Sequence, residues 1–165
     1  MKGLIVADSS PLITLLNIGR FTLLEKLFTH IIVPNKVAEE VGRGEANDSI
    51  WFALQASGFI RPAPLQTDPR LAVLLLQIDP GESEAILLAD QLKLPLLIDE
   101  KAGRKMATLM GLKITGLVGI LGALQQKGEI STTQLPDILQ DLERVEFRLS
   151  TDLKRRLLEQ TTHGE

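Results

Sequence analysis

The sequence predicts an α/β fold, a mainly parallel sheet covered by helices on both faces, and three observations carry that expectation. Short apolar runs bounded by turn residues alternate along the chain with segments of helical period, as βαβ units do. The first run, GLIVA at residues 3–7, is continuously apolar, the pattern of a strand buried on both faces. It ends on a charge, Asp8, and turns at once into Ser9, Ser10 and Pro11. Ser10 reads as an N-cap and Pro11 as the first helical residue, with Leu12, Leu15 and Leu16 at helical spacing behind them. Asp8 is thereby placed at the carboxyl end of a buried strand, the edge of an open α/β sheet where ligands bind.

The remaining elements follow in order. Strands are expected at 3–7, 30–33 (HIIV), 95–98 (PLLI) and 112–115 (LKIT). Helices are expected near 11–17, 21–28, 35–42, 47–57, 68–77, 81–93, 101–110, 116–127, 132–143 and 151–160. Asp68-Pro69 and Asp79-Pro80 each offer a cap followed by proline, while Gly111 and Gly128 fit C-terminal stops. RPAPLQTDP, residues 61–69, reads as a linker between helices of one domain. LAVLLLQI, residues 71–78, is unbroken enough to be either buried core or a homodimer interface. Trp51 and Phe52 read as core or interface, and His30 and His163 as bystanders.

Composition narrows the function. At 165 residues and 44% apolar, the chain suits one domain with a substantial core. A net charge of −3 and two isolated histidines do not announce a nucleic-acid binder, although they leave room for a local basic patch. With no cysteine there is no disulfide, thiolate metal site or thiol nucleophile, which suits a reducing cytoplasm. Asp8 interrupts the only early apolar run, so no signal peptide is expected, and no run approaches the length of a membrane span. Aromatics are only 4% and tyrosine is absent, which argues against the stacked-base platforms of single-strand binders.

Acids recur at equivalent places. LLIDEKAGR repeats the Asp8 pattern, with Asp99 and Glu100 between an apolar run and a helix. In VPNKVAEEV, Val37 and Val41 mark the inner helical face, Glu40 lies near it, and Glu39 is rotated away. In DPGESEAILLA, Glu82 precedes Ala85, Ile86 and Ala89 at helical spacing, while Glu84 points roughly opposite. A parallel sheet would gather Asp8, Glu40, Glu82 and Asp99 at one edge. Each like-charged pair at about 4 Å costs roughly 4 kcal/mol in an effective dielectric near 20, so such a group takes protons or binds a cation. Oxygen ligands without cysteine or a histidine pair favour Mg²⁺ or Mn²⁺ over Zn²⁺.

The run Asp8-Ser9-Ser10-Pro11-Leu12, then VPxxVxxEV, GESEAILLA, LLIDEKAGR and ITGLVGIL, in that order over residues 4–125 with an echo in FRLS at 147–150, resemble the successive motifs of the PIN (PilT N-terminus) domain. The likeness is to its prokaryotic branch, related to toxins of the virulence-associated protein C type. It implies a three-layer α/β/α sandwich spanning 1–165, with C-terminal helices 132–160 packing on or extending it. It also implies a metal-dependent endoribonuclease that leaves 5′-phosphate and 3′-hydroxyl ends. Asp8 matches the family's first acid and Glu40 its second. The third falls on Glu82 or Glu84, with the helical face favouring Glu82, and the fourth on Asp99 or Glu100, with the strand end favouring Asp99. Ser9 or Ser10 matches the hydroxyl that helps hold metal-bound water. Arg43, Lys101, Arg104 and Lys105 flank these acids as cations for an RNA backbone, whose contacts are sequence-blind and salt-sensitive. A toxin of this type needs a small antitoxin protein.

Each residue alone has a plainer role: Asp8 and Asp99 as helix-start or turn carboxylates, Glu40 as a solvated helix residue, Glu82 as half of a capping box with Asp79. Only their joint placement favours a site. The rival functions are a catalytically silent PIN-like module that binds RNA or protein, and a phosphoacceptor module of the doubly wound type, whose acid and lysine spacing fits poorly. GxGxxG after the first strand and a P-loop are both absent.

Overall fold

The computed structural model describes residues 2–44, 48–145, 147 and 149–162. In chain order its elements are β1 (Gly3–Ala7), α1 (Ser9–Asn17), α2 (Thr22–Glu25), β2 (Phe28–Pro34), α3 (Asn35–Gly42), α4 (Asp48–Ala56), β3 (Ile60–Ala63) and α5 (Arg70–Leu74). There follow α6 (Pro80–Leu92), β4 (Leu96–Leu97), α7 (Lys101–Leu109), β5 (Ile114–Thr115), α8 (Leu117–Gln126), α9 (Gln134–Arg144) and α10 (Thr151–Thr162). Helices flank a single sheet of order β3-β2-β1-β4-β5 in which every pairing is parallel, giving a three-layer α/β/α sandwich.

The sheet grows outward from β1 in one direction through β2 and β3, then returns to its other side for β4 and β5. The reversal opens a crevice at the carboxyl ends of β1 and β4. Register fixes what stands there: Ala7 pairs with Leu97, and the Asp8 amide donates to the Leu97 carbonyl at 3.0 Å. Both strand ends are deeply buried, with Ile5, Val6, Ala7, Leu96, Leu97 and Ile98 at 1% exposure or less. Helix α6 supplies a buried Ala85–Ala89 run that packs on β1 and β2. A helix apolar on this many sides belongs inside a core. Leu135, Ile138, Leu139 and Leu142 of α9 and Leu157 of α10 join the same core, and Gln125 Nε2 fastens α10 to α8 by donating to the Leu157 carbonyl at 2.8 Å.

Several expectations are corrected. Residues 60–63, IRPA, form edge strand β3 where a linker was expected to begin. Pro62 hides the strand in the sequence, because proline is excluded from central strands and tolerated only at an edge. Helix α1 begins at Ser9 with Asp8 in the N-cap position, so Pro11 is its third residue. Proline fits there because first-turn amides have no intrahelical partner. The expected helix at 21–28 ends at Glu25, and Phe28 already belongs to β2. Gly111 and Gly128 end their helices with positive φ, 79° and 71°. The 71–78 run divides: Leu74 and Ile78 are buried, while Val73, Leu75 and Leu76 are exposed. Trp51 is buried edge-on to Phe21 with its indole N–H on the Ala38 carbonyl, whereas Phe52 is exposed. His30 Nδ1 sits 3.1 Å from the Gly58 carbonyl; His163, Arg148 and Asn47 lie outside the described residues. Among the described residues no helix is long and apolar enough to cross a membrane.

Candidate metal centre

Asp8 stands at the crevice. As N-cap of α1 it has extended backbone, φ −81° and ψ 165°, yet its side chain caps nothing. It is 2% exposed, and Oδ1 has no hydrogen-bond partner among the described residues. Burial pushes its carboxyl up to about 7; the Ser9 amide opposes this, and the charges of Asp79, Glu40 and Glu100 add to it. A buried acceptor left without a donor is costly enough to need a reason.

The start of α6 brings the next acids. Asp79 is the N-cap, Pro80 follows at the first helical position, and Asp79 Oδ1 accepts the Glu82 amide at 2.8 Å. That capping bond fixes the phase of the first turn and turns Glu82 inward, where it is 6% exposed. Burial, then Asp79, Asp8 and Glu100, push Glu82 up to about 8. Capping and membership of the acidic group are therefore compatible roles. Glu84 is half-buried beside Lys36, Glu39 and Glu40, and burial raises it too. Helical phase thus separates Glu82, which feels Asp8, from Glu84, which looks toward α3.

Two glycines let the helices close around these acids. A Cβ on Gly81 would stand 2.6 Å from Glu40 Oε2, and one on Gly103 would stand 2.6 Å from Ile98 Cδ1 and 3.1 Å from Glu82 Oε2. Glu40 is held in place by the Ser9 hydroxyl, which donates to Oε2 at 2.9 Å.

Asp99 and Glu100, the two alternatives for the fourth acid, stand in different surroundings. Asp99 accepts the Leu117 amide at 3.2 Å and lies against Gly116 and Arg104, so it anchors the N-terminus of α8. Burial raises its pKa, while the Leu117 amide and Arg104 lower it. Glu100 is exposed at the N-cap of α7, and its charge acts on Asp8, Glu82 and Asp99 alike. Repulsion links Asp8 to Asp79, Glu40 and Glu100, links Glu82 to Asp79, Asp8 and Glu100, and links Asp99 to Glu100. Sequence reading assigned Asp79 to capping alone; its position at the same helix start as Glu82 was the available signal. Among the described residues no three acids or histidines converge into a ready-made metal cage.

The candidate RNA-binding cations are dispersed. Arg43 sits 3.9 Å from Glu39 and lines a hollow with Trp51 and Phe52. Arg104 Nη1 donates to the Ile98 carbonyl at 3.0 Å, and Lys105 is exposed on α7. Lys101 and Arg104 face a groove of about 1200 Å³ that also receives Ser10 and Glu100.

A doubly wound, all-parallel sheet with buried carboxylates at its switch point defines a class of α/β proteins built around that edge. A family model described as a PIN domain matches residues 4–163, nearly the whole chain, and the protein belongs to the PIN domain family. PIN domains are generally metal-dependent nucleases, so the fold is nuclease-like. No curated protein matches the sequence.

Proposed function

We propose that the protein is a divalent-metal-dependent endoribonuclease, the toxin of a toxin–antitoxin pair. The observation that carries this reading is the orphaned, buried Oδ1 of Asp8 among Glu40, Asp79, Glu82 and Glu100. These donors are all oxygen, the chemistry of Mg²⁺ or Mn²⁺. Mg²⁺ keeps several waters and takes only one or two carboxylates, so it does not need a preformed protein cage. Asp8 and Glu82 are its principal protein ligands in this reading, with Glu40 and Glu100 beside them. Asp99 holds the α8 N-terminus against the site, and Asp79 orients Glu82. Such an ion polarises a phosphodiester and acidifies water. The chain's own residues do the rest: Ser9 fixes the Glu40 carboxylate, Lys101, Arg104 and Lys105 would hold backbone phosphates, and Asp8 would meet the cation as an ionised carboxylate.

An antitoxin covering the acidic edge is the partner this activity requires, and Val73, Leu75 and Leu76 are the surface on which a homodimer would form. The test is cleavage of a mixed RNA pool with Mn²⁺, Mg²⁺ or EDTA, comparing the native protein with Asp8→Asn. Metal-dependent cutting that the variant lacks is the expected result. No cutting by folded, metal-loaded protein would instead favour the silent binding module, a reading for which Glu40's commitment to Ser9 is the one supporting contact.

A further inference from the structure

Strand β4 stops at Leu97 and α7 starts at Lys101, so Ile98, Asp99 and Glu100 leave the sheet as a turn without regular structure of their own. The turn is held by cross-links. The Ile98 amide donates to the Thr115 carbonyl at 2.9 Å, and the Asp99 carboxylate accepts the Leu117 amide at 3.2 Å. Arg104 closes the other side: Nη1 donates to the Ile98 carbonyl at 3.0 Å, and its amide donates to the Glu100 carbonyl at 2.9 Å. The amide bond is the ordinary start of a helix and any residue but proline would make it. Only the guanidinium reaches back to Ile98.

Gly116 shows how closely these parts meet. Its backbone is extended, φ −120° and ψ −173°, a conformation open to any residue. Space is what requires glycine: a Cβ there would collide with Asp99 Oδ1 and stand 2.7 Å from Arg104 Nη1. The half-buried guanidinium is thus wedged among the Ile98 carbonyl, the Asp99 carboxylate and the start of α8. Lysine is no substitute for it, because an ammonium is a point charge on a flexible stem and the planar fork aims several donors in fixed directions.

Glu100 carries the consequence. It is joined to Asp99 by one peptide bond, and its charge reaches Asp8 and Glu82 across the crevice. Whatever fixes the turn fixes where that carboxylate stands. Resting on the ribonuclease reading, we propose that Arg104 is a positioning residue for the reaction: Nη1 holds the Asp99-Glu100 turn, and through it the acidic edge, while its remaining N–H groups are left to meet backbone phosphate. Lys101 and Lys105, exposed on the same helix, serve phosphate alone.

The test uses Arg104→Lys, which keeps the charge and loses the fork, with Gly116→Ala as a second way to force the same groups apart. Three readouts are taken on folded protein: amide exchange at Leu117 by NMR, Mn²⁺ binding by loss of the free-ion EPR signal, and steady-state cleavage of RNA. Both variants are expected to speed Leu117 exchange and to lower Mn²⁺ affinity and kcat, each by about tenfold or more. Arg104→Lys should leave KM and its salt dependence close to native, because the charge that meets phosphate is kept. Lys101→Ala should do the reverse, raising KM with Leu117 exchange and Mn²⁺ affinity unmoved. Unchanged Leu117 exchange in Arg104→Lys overturns the proposal. Faster exchange with native Mn²⁺ affinity and kcat makes Arg104 a support of the fold only, and a rise in KM alone makes it a phosphate contact only; either result overturns the positioning role. Native protein that neither binds Mn²⁺ nor cuts sinks the ribonuclease reading together with this role. Native protein that does both, matched by Arg104→Lys, sinks the positioning role and leaves the nuclease.

Discussion

Two groups of carboxylates involve α6, one with the approach at Asp68 and one with Asp8 at the end of β1, and they are treated in opposite ways. At one, Arg70 reaches Asp68 at 2.8 Å and Asp90 at 2.9 Å, and Gln91 adds a donor. The guanidinium holds the Asp68 carboxyl well below the usual carboxylate range. At the other, Asp8 and Glu82 are more buried, face further acids, and are pushed up to about 7 and about 8. The chain answers negative charge with its own cation where only architecture is at stake. At the sheet's switch point it withholds one. The contrast teaches that repulsion at the acidic edge is a local arrangement, since the same helix solves the same problem a few turns away.

The sharpest way to break the comparison is Asp8→Asn, which removes the buried carboxylate and, on the proposed function, the principal cation ligand. Cleavage is expected to fall on the order of 100-fold or more. The metal-free protein should gain about 2 kcal/mol of stability at pH 8, read as a higher denaturation midpoint. Equal stability in both proteins would mean that Asp8 is not strained.

Next in size is the pH dependence of the metal-free protein. Asp8 and Glu82 hold their protons to about 7 and about 8 in the fold and release them near 3.8 and 4.5 in the unfolded chain. The folded state therefore binds more protons, and stability falls as pH rises through these values. Asp68 and Asp141, both lowered, act oppositely, and only on the acid side of their ordinary value of 3.8. Thermal melts from pH 5 to pH 8.5 thus read the buried, raised acids together, Asp8 and Glu82 with Glu84 and Asp99: the melting temperature should fall across that range, and Mn²⁺ should raise it more at pH 8.5 than at pH 5. A metal effect independent of pH would count against the acids as its site.

Gly103→Ala tests how tightly the helices close on Glu82. The new methyl must displace Ile98 or Glu82, at an expected cost of about 1–3 kcal/mol in a chemical denaturation curve, together with weaker metal binding. The smallest effect belongs to Arg70→Ala. Its ion pairs are solvent-exposed, so loss of about 1 kcal/mol or less is expected, with RNA cleavage unchanged. If Arg70→Ala proved as disruptive as Gly103→Ala, the two acidic groups would no longer differ in kind.

Much of this was legible in the sequence because periodicity reports faces. The GLIVA strand ending on Asp8 and the inward phase of Glu82 both follow from repeat lengths alone. What was hidden depended on contacts between distant segments. Pro62 disguised an edge strand whose partner, Val33, is remote in the chain. Asp79 looked finished as a cap. Asp99 and Glu100 are adjacent, and only the position of Leu117 shows which of them turns toward α8. The Ser9–Glu40 bond joins residues 31 apart, beyond any local pattern.

The order of strands has a consequence for the newly made chain. β1 and β2 are near neighbours in sequence, but β1 cannot meet β4 until Leu96 and Leu97 have been synthesised. Synthesis runs at about 5–20 residues per second, and a domain generally folds as a unit. For about a third of its synthesis, between residues 40 and 100 of 165, the growing polypeptide carries Asp8 and Glu40 without Glu100. The acidic edge therefore stays unassembled until the crossover closes, and a chain stopped before Leu96 lacks the β1–β4 pairing that places Asp8.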